Sequence, residues 1–533
     1  MRRALRLPIL VLLPLLVLAA VVVEADRDDA SVGGSRPEDL APTAPEPGTL
    51  SSTWYCPAGT ATGVTTGEGA GVAEQRVVVA NASDTDVSGT LTIYPEGASP
   101  VEVPIDVVAR ARSELDVADH VEAAWAAVLV ETEGGEVTVA QELTGPSGRA
   151  AADCTSTPSA DWWFPAGSSN RASQWLALFN PFPGEATVDV TFDTDEGIRT
   201  SQDYEGIVVP GGTVVVKKVS DTITVRNHIA THVSSRSGRI VAEQVLSLDG
   251  TEGTPTGLTA TVGAPAAAPI WTFPASPPPG DGAAESVAIF NPGDTDADVL
   301  VQVQLEDPAE SGSVEPFGPI TVPAGRYQVV NVSGDQRVPP GTNRWIVVQA
   351  QDGVEVVAQR TVSAGEAGGI ATTIGLPVQS TRWLAPLGAT DGTNASLLAV
   401  ANPSPVTTAT VTVRRRDGGT VQDVPGAVEL SVAPGDVVVI DLVAAGLPAD
   451  GSAEVASDVP VVVGQWMSFS EPSGVATLMG IPVAGTQSLI TDVIQPGVGA
   501  GLDPDEIAPS DPLGTVPGDT PDDSGGSSST AAG

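Results

Sequence analysis

The chain has 533 residues and a formal charge of −42, from 24 Lys+Arg against 66 Asp+Glu. That balance excludes nucleic acid as a partner, whose affinity comes mainly from Lys and Arg neutralising phosphates, and opposes anionic lipid or wall polymer unless a divalent cation bridges them. The length allows roughly three to five domains, and 46 Pro and 58 Gly among frequent Val and Thr predict an all-β chain rich in turns.

At the N-terminus Arg2, Arg3 and Arg6 precede an apolar run, Leu7 to Val23, and the acids Glu24, Asp26, Asp28 and Asp29 follow it. The positive-inside rule then places everything beyond outside the cytoplasm. The run lies at the low edge of what spans a bilayer, and Val23 and Ala25 suit a signal peptidase, so residues 1–25 read as a signal peptide or a membrane anchor. Residues 26–53, with PTAPEPG at Pro42–Gly48, read as a disordered acidic Pro-rich linker.

Next comes a repeat. WYCPAG at Trp54–Gly59, WWFPAG at Trp162–Gly167, WTFPA at Trp271–Ala275 and WLAPLG at Trp383–Gly388 start about 110 residues apart. Each is followed by an apolar run closed by Asn (Asn81, Asn180, Asn291, Asn402), then by an alternating strand. A Pro/Gly turn at Pro210, Pro323 and Pro434 leads into a second β-branched run; the first copy has ARARSELDV from Ala109 there instead. Each copy ends in two alternating runs that read as a hairpin entering Gln141, Gln244, Gln359 or Gln465. The expected segments are 54–158, 159–267, 268–379 and 380–485, with a disordered acidic Gly/Ser/Pro-rich tail over 486–533. The predicted fold is a tandem array of four Ig-like antiparallel β-sandwich repeats after an N-terminal membrane segment, each of about seven strands, strung like beads.

Chemistry has few places to sit. Cys56 and Cys154 bracket the first copy and read as a disulfide in an exported protein. His120 stands alone in a loop, and His228 and His232 are four residues apart, about 13 Å along a strand, too far to share one zinc. The acidic turns at Ser83–Asp86, Asp193–Gly197 and Asp294–Asp298 offer oxygens to calcium but lack the EF-hand spacing, and read as turn chemistry. No Walker loop, GxSxG elbow or HExxH occurs. No catalytic, cofactor or metal site is therefore assigned, and no enzyme is expected. Trp162 and Trp163 are the candidate ligand contacts, because neighbours on a strand point to opposite faces and an exposed Trp stacks on sugars or anchors a partner. The competing reading has these rings, with Trp54, Trp271 and Trp383, sealing each copy against its neighbour.

The order W-x-x-P-x-G, an apolar run into Asn, a Pro/Gly turn and an ending such as SDVPVVV before Gln465 resembles the sensory rhodopsin transducer type of β-sandwich. Four such copies over roughly Trp54–Val483, behind a membrane segment, resemble an uncharacterised family of exported actinobacterial envelope proteins. The resemblance implies a fold and docking to protein or carbohydrate, with no catalytic residue to carry over. The expected function is a non-enzymatic extracytoplasmic cell-envelope protein, held at the membrane by its N-terminal segment or secreted, that docks another envelope protein or a polysaccharide. The alternative is a sensory or accessory subunit of an envelope glycan or transport machine.

Overall fold

Runs of Val, Thr and Ile broken every few residues by Gly or Pro pleat well and coil poorly, and they form strands almost throughout. This computed structural model describes residues 36–61, 67–251, 255–274, 283–306, 314–339, 342–365, 368–491 and 493. The apolar run Leu7–Val23, the linker up to residue 35 and the tail from residue 494 lie outside the described residues. Among the described residues no helix is long and apolar enough to cross a membrane.

One pairing scheme recurs in all four segments. In the first, Ser52–Ala61 and Val87–Pro95 flank Ala123–Thr132 in one sheet, with Val101–Val107 at its edge. Arg112–Asp116 and Val137–Gly145 flank Glu74–Asn81 in the other, and Gly148–Asp153 completes it. The second segment repeats this around Ile229–Ser237 and Ala172–Asn180, the third around Arg344–Ala350 and Ala284–Phe290. Val77 and Val139 of one sheet meet Leu91 and Val128 of the other in a shared apolar core.

The expected hairpin into each Gln is absent. Ala123–Thr132 and Val137–Gly145 lie in opposite sheets, as do Ile229–Ser237 and Val241–Asp249, so the glycine turn carries the chain across the core. In the fourth segment this crossing is one continuous strand, Ser452–Ser470, whose first half pairs with Ala409–Asp417 and whose second half pairs with Thr393–Ala401. Two β-branched runs around a glycine carry the same pattern whether they share a ladder or face each other across a core.

The beads-on-a-string arrangement is also replaced. The last strands of the segments, Gly148–Asp153, Thr256–Val262, Ile370–Ile374 and Ser473–Met479, pack successively on one another, and the fourth returns to the first. The segments thus close into a ring around four inner strands. Small residues make the approach possible: a Cβ on Gly474 would lie 2.0 Å from the Arg149 carbonyl oxygen, and one on Gly257 would lie 2.5 Å from Ile370 Cγ2. The first and fourth segments are tied by arginines. Arg149 donates to Asp391 O (2.5 Å) and Thr390 Oγ1 (2.7 Å), Arg416 to Ala82 O (2.6 Å), and Arg382 pairs with Glu136 (2.5 Å).

Part of the expected linker belongs to this body. Pro37–Leu40 is a short helical turn, Leu40 and Ala44 are buried, and Ala44 forms a parallel bridge with Val483. Ala44 N donates to Pro482 O (2.9 Å), and Ala484 N donates to Ala44 O (2.8 Å). The low apolar content that suggested a spacer is offset by these backbone bonds and by the buried side chains of Leu40, Ala41 and Ala44. The tail likewise starts later than expected, since Gln487–Leu489 pairs with Val378–Ala385.

Candidate functional site

The recurring polar residues of the sequence are structural. Each landmark Asn is buried and holds the loop that follows it: Asn180 Nδ2 donates to Gly184 O (2.7 Å) and Val209 O (3.0 Å), while its Oδ1 accepts from Phe182 N (3.0 Å). Asn81, Asn291 and Asn402 repeat the arrangement. The landmark Gln residues anchor the start motifs, with Gln244 Nε2 donating to Ala166 O (2.8 Å) and Gln465 Nε2 to Leu387 O (2.6 Å). At the junction of the first two segments, Gln141 Nε2 donates to Glu243 Oε1 (2.5 Å) and Ala58 N to Glu243 Oε2 (2.9 Å). Burial pushes the Glu243 carboxyl up to about 8 against the pull of those two donors.

Trp54, Trp162, Trp271 and Trp383 are fully buried, and the indole N–H of Trp162, Trp271 and Trp383 donates to Ile240 O, Val356 O and Val461 O of the same segment. They fill segment cores instead of sealing junctions. Other aromatics seal: Trp125 meets Trp175 with ring centroids 5.8 Å apart, Tyr94 meets Phe179 at 5.0 Å, and Trp345 Nε1 donates to Gly435 O (3.0 Å). Trp162 is thus closed to a ligand on the outer surface, and it lines an inner cavity. Trp163 is half-buried and stacks on His232 (4.8 Å, 4° between planes), whose Nε2 bonds Asp161 Oδ1 at 3.0 Å. One face of its ring is therefore already covered.

His228 is buried, bonds Pro165 O through Nε2 (2.8 Å) and stacks on Tyr327; burial lowers its pKa to about 4. His120 is exposed. Among the acidic turns, Asp84 pairs with Arg110, Asp193 with Arg326 across the junction to the third segment, and Asp296 Oδ1 accepts from Ala324 N. Cys56 and Cys154, both fully buried, are disulfide-bonded and join the strand Ser52–Ala61 to the end of the first inner strand.

The structure shows one feature that no motif announced, a cavity of about 90 Å³ on the ring axis. All four inner strands contribute to its wall, including Thr261, Thr372, Thr477 and Met479, and Glu38–Pro42 frames its mouth. Asp153 reaches into it. In the strand register, Asp153 opposite Ala140 occupies the position that Val262 fills opposite Glu243 and Met479 opposite Gly464, so a carboxyl replaces an apolar side chain. Its Oδ2 accepts from Met479 N (2.9 Å) across the first–fourth seam, and its Oδ1 is shut off from solvent without a partner. Desolvation raises its pKa to about 7. Thr477 Oγ1, on a side chain 5% exposed, is likewise unpartnered. The only signal in the sequence was an acid where the equivalent register position is otherwise apolar, and this emerges only once the inner strands are aligned.

No curated protein matches the chain. Among solved structures, an alpha-L-rhamnosidase of Streptomyces avermitilis complexed with L-rhamnose aligns at 12% identity and a TM-score of 0.11, over 66% of this chain and 47% of that one. The chain thus spans about half of that protein's length, and a likeness at this score carries no argument. A family profile matches residues 136–423, more than half of the chain and parts of all four segments, and on that match the chain belongs to the family of unknown function DUF5719.

Proposed function

We propose that the chain is a non-enzymatic extracytoplasmic protein of the cell envelope, a ring of four Ig-like sandwich repeats that docks another envelope protein or a polysaccharide. The Cys56–Cys154 disulfide carries the extracytoplasmic part of this reading, because structural disulfides persist in oxidising compartments and are rare in the cytosol. The docking part is supported by the outer edge strands. Val208 is exposed on Ile207–Val209, and Val108 and Val428 are exposed just outside Val101–Val107 and Leu430–Val432, each of these strands being paired along one side only among the described residues. Open edges of this kind accept an added strand, and their apolar side chains give such an addition its grip.

Fractionation of native cells with alkylation of free thiols tests the reading. Both cysteines blocked until reduction, in protein from the membrane, wall or medium, is the expected result; reactive thiols in protein from the cytoplasm would overturn it. Cosedimentation with purified wall polysaccharide and crosslinking to envelope proteins test docking, and failure of both would remove it. The axial cavity is the observation that favours the second reading, a sensory or accessory subunit of an envelope machine, because a docking scaffold has no need of an unpartnered carboxyl at its centre.

A further inference from the structure

We infer that the axial cavity is a binding site for a small primary ammonium compound, held by Asp153 Oδ1 and Thr477 Oγ1. Among the described residues three acids, Glu38, Asp39 and Asp153, line the cavity, and no Lys, Arg or His does. Among the described residues, the polar atoms without a partner on this wall are a carboxylate oxygen, which can only accept, and the Thr477 hydroxyl, which can accept as well as donate. A buried carboxylate oxygen left unmet costs about 1–3 kcal/mol, so Asp153 Oδ1 calls for a donor, and the acidic wall selects a cationic one.

The remaining walls fix the size and shape of the ligand. Leu40, Ala260, Leu376 and Met479 offer an apolar surface to a short alkyl chain. A cavity of about 90 Å³ equals roughly three waters at about 30 Å³ each, which limits the buried part to a few non-hydrogen atoms. A calcium ion is disfavoured, because it takes about six to eight oxygens, and among the described residues the three lining acids do not converge into a group that could hold a metal ion. An ammonium head has three donors and suits the two orphan oxygens with one to spare.

The ligand also relieves the buried acid. With Met479 N on Oδ2 and an ammonium on Oδ1, Asp153 is held as the carboxylate, so binding tightens as pH rises through about 7 and weakens below it. Among the described residues Glu38 and Asp39 at the mouth are the other titratable carboxyls facing the site. The site is independent of the docking reading: the outer edges can bind a partner whether or not the axis is filled.

The test is a ligand-observed NMR titration of the full chain with n-propylammonium, and with 1-propanol and propionate as uncharged and anionic matches. Propylammonium should bind at least about tenfold more tightly than either, as a charge-assisted hydrogen bond implies. Asp153→Asn should abolish that preference and Thr477→Val should weaken it several-fold. Both variants should keep the wild-type melting profile or exceed it, since Asp153→Asn replaces a buried ionisable carboxyl with a neutral amide and Thr477→Val removes an unmet buried hydroxyl. Equal binding of propylammonium and propanol, or full binding by Asp153→Asn, would overturn the assignment. Retained docking by a variant that no longer binds propylammonium would separate this site from the outer surface.

Discussion

At the residue scale, burial decides what a polar side chain does here. Asn180 satisfies three backbone groups that would otherwise be stranded in the core, so Asn180→Ala should cost about 2–4 kcal/mol, seen as a lowered denaturation midpoint. Glu243 behaves differently because burial raises its pKa from 4.5 to about 8. The folded chain then holds a proton that the unfolded chain has lost, and the stability it contributes is present below about 4.5 and lost as pH climbs through about 8. Gln75 Oε1 has no partner in the present orientation, while Gln75 Nε2 donates to Gln141 Oε1. If both amides turn over, a protonated Glu243 donates to Gln141 and Gln141 donates to Gln75, which gives the Gln75 carbonyl a donor. Glu243→Gln fits the same chain of bonds. Its melting temperature should fall less between pH 5 and pH 9 than that of wild type, and parallel pH profiles would show that Glu243 is ionised throughout.

The landmark Asn and Gln residues were legible in the sequence because each copy repeats them. The role of the start tryptophans was not, since a Trp in a core and a Trp in a junction look alike until the strands are paired.

At the scale of the element, the inner strands set the architecture, and they were the hardest to read. Gly148–Asp153 (GRAAAD) and Thr256–Val262 (TGLTATV) are poor in large apolar residues and carry little of the hydrophobic pattern from which strands are recognised. Their smallness is what lets four strands converge. Gly474→Val should force the first and fourth segments apart, because the added side chain would meet the Arg149 backbone directly. Small-angle scattering would register a larger radius of gyration, whereas Gly184→Ala, with open space around its Cβ position, should leave the profile unchanged. Equal profiles for both variants would show that the ring is not closed by this contact. The hairpins misread in the sequence teach the same lesson in reverse: their alternation was real, and the sheet each run joins is set by tertiary pairing.

At the scale of the whole molecule, ring closure replaces independent domains with one cooperative body. Apolar clusters run across the segment boundaries, from the third into the fourth and from the first into the second. Calorimetry should accordingly show one transition instead of four. The disulfide closes a loop spanning 98 residues, worth about 4–5 kcal/mol in the chain-entropy model. Reduction should therefore lower the single transition as a whole, by roughly 5 °C, and a separate early transition for the first segment would argue for independent units.

The bridge between Ala44 and Val483 has a mechanical consequence. It is parallel, and the chain enters the ring along one of its strands and leaves along the other. Tension drawn between the two flanks therefore pulls the paired strands lengthwise in opposite directions. Once Gln487–Leu489 has come away from Val378–Ala385, the two backbone hydrogen bonds flanking the bridge meet that load together, in shear, where an antiparallel seam would have opened one bond at a time.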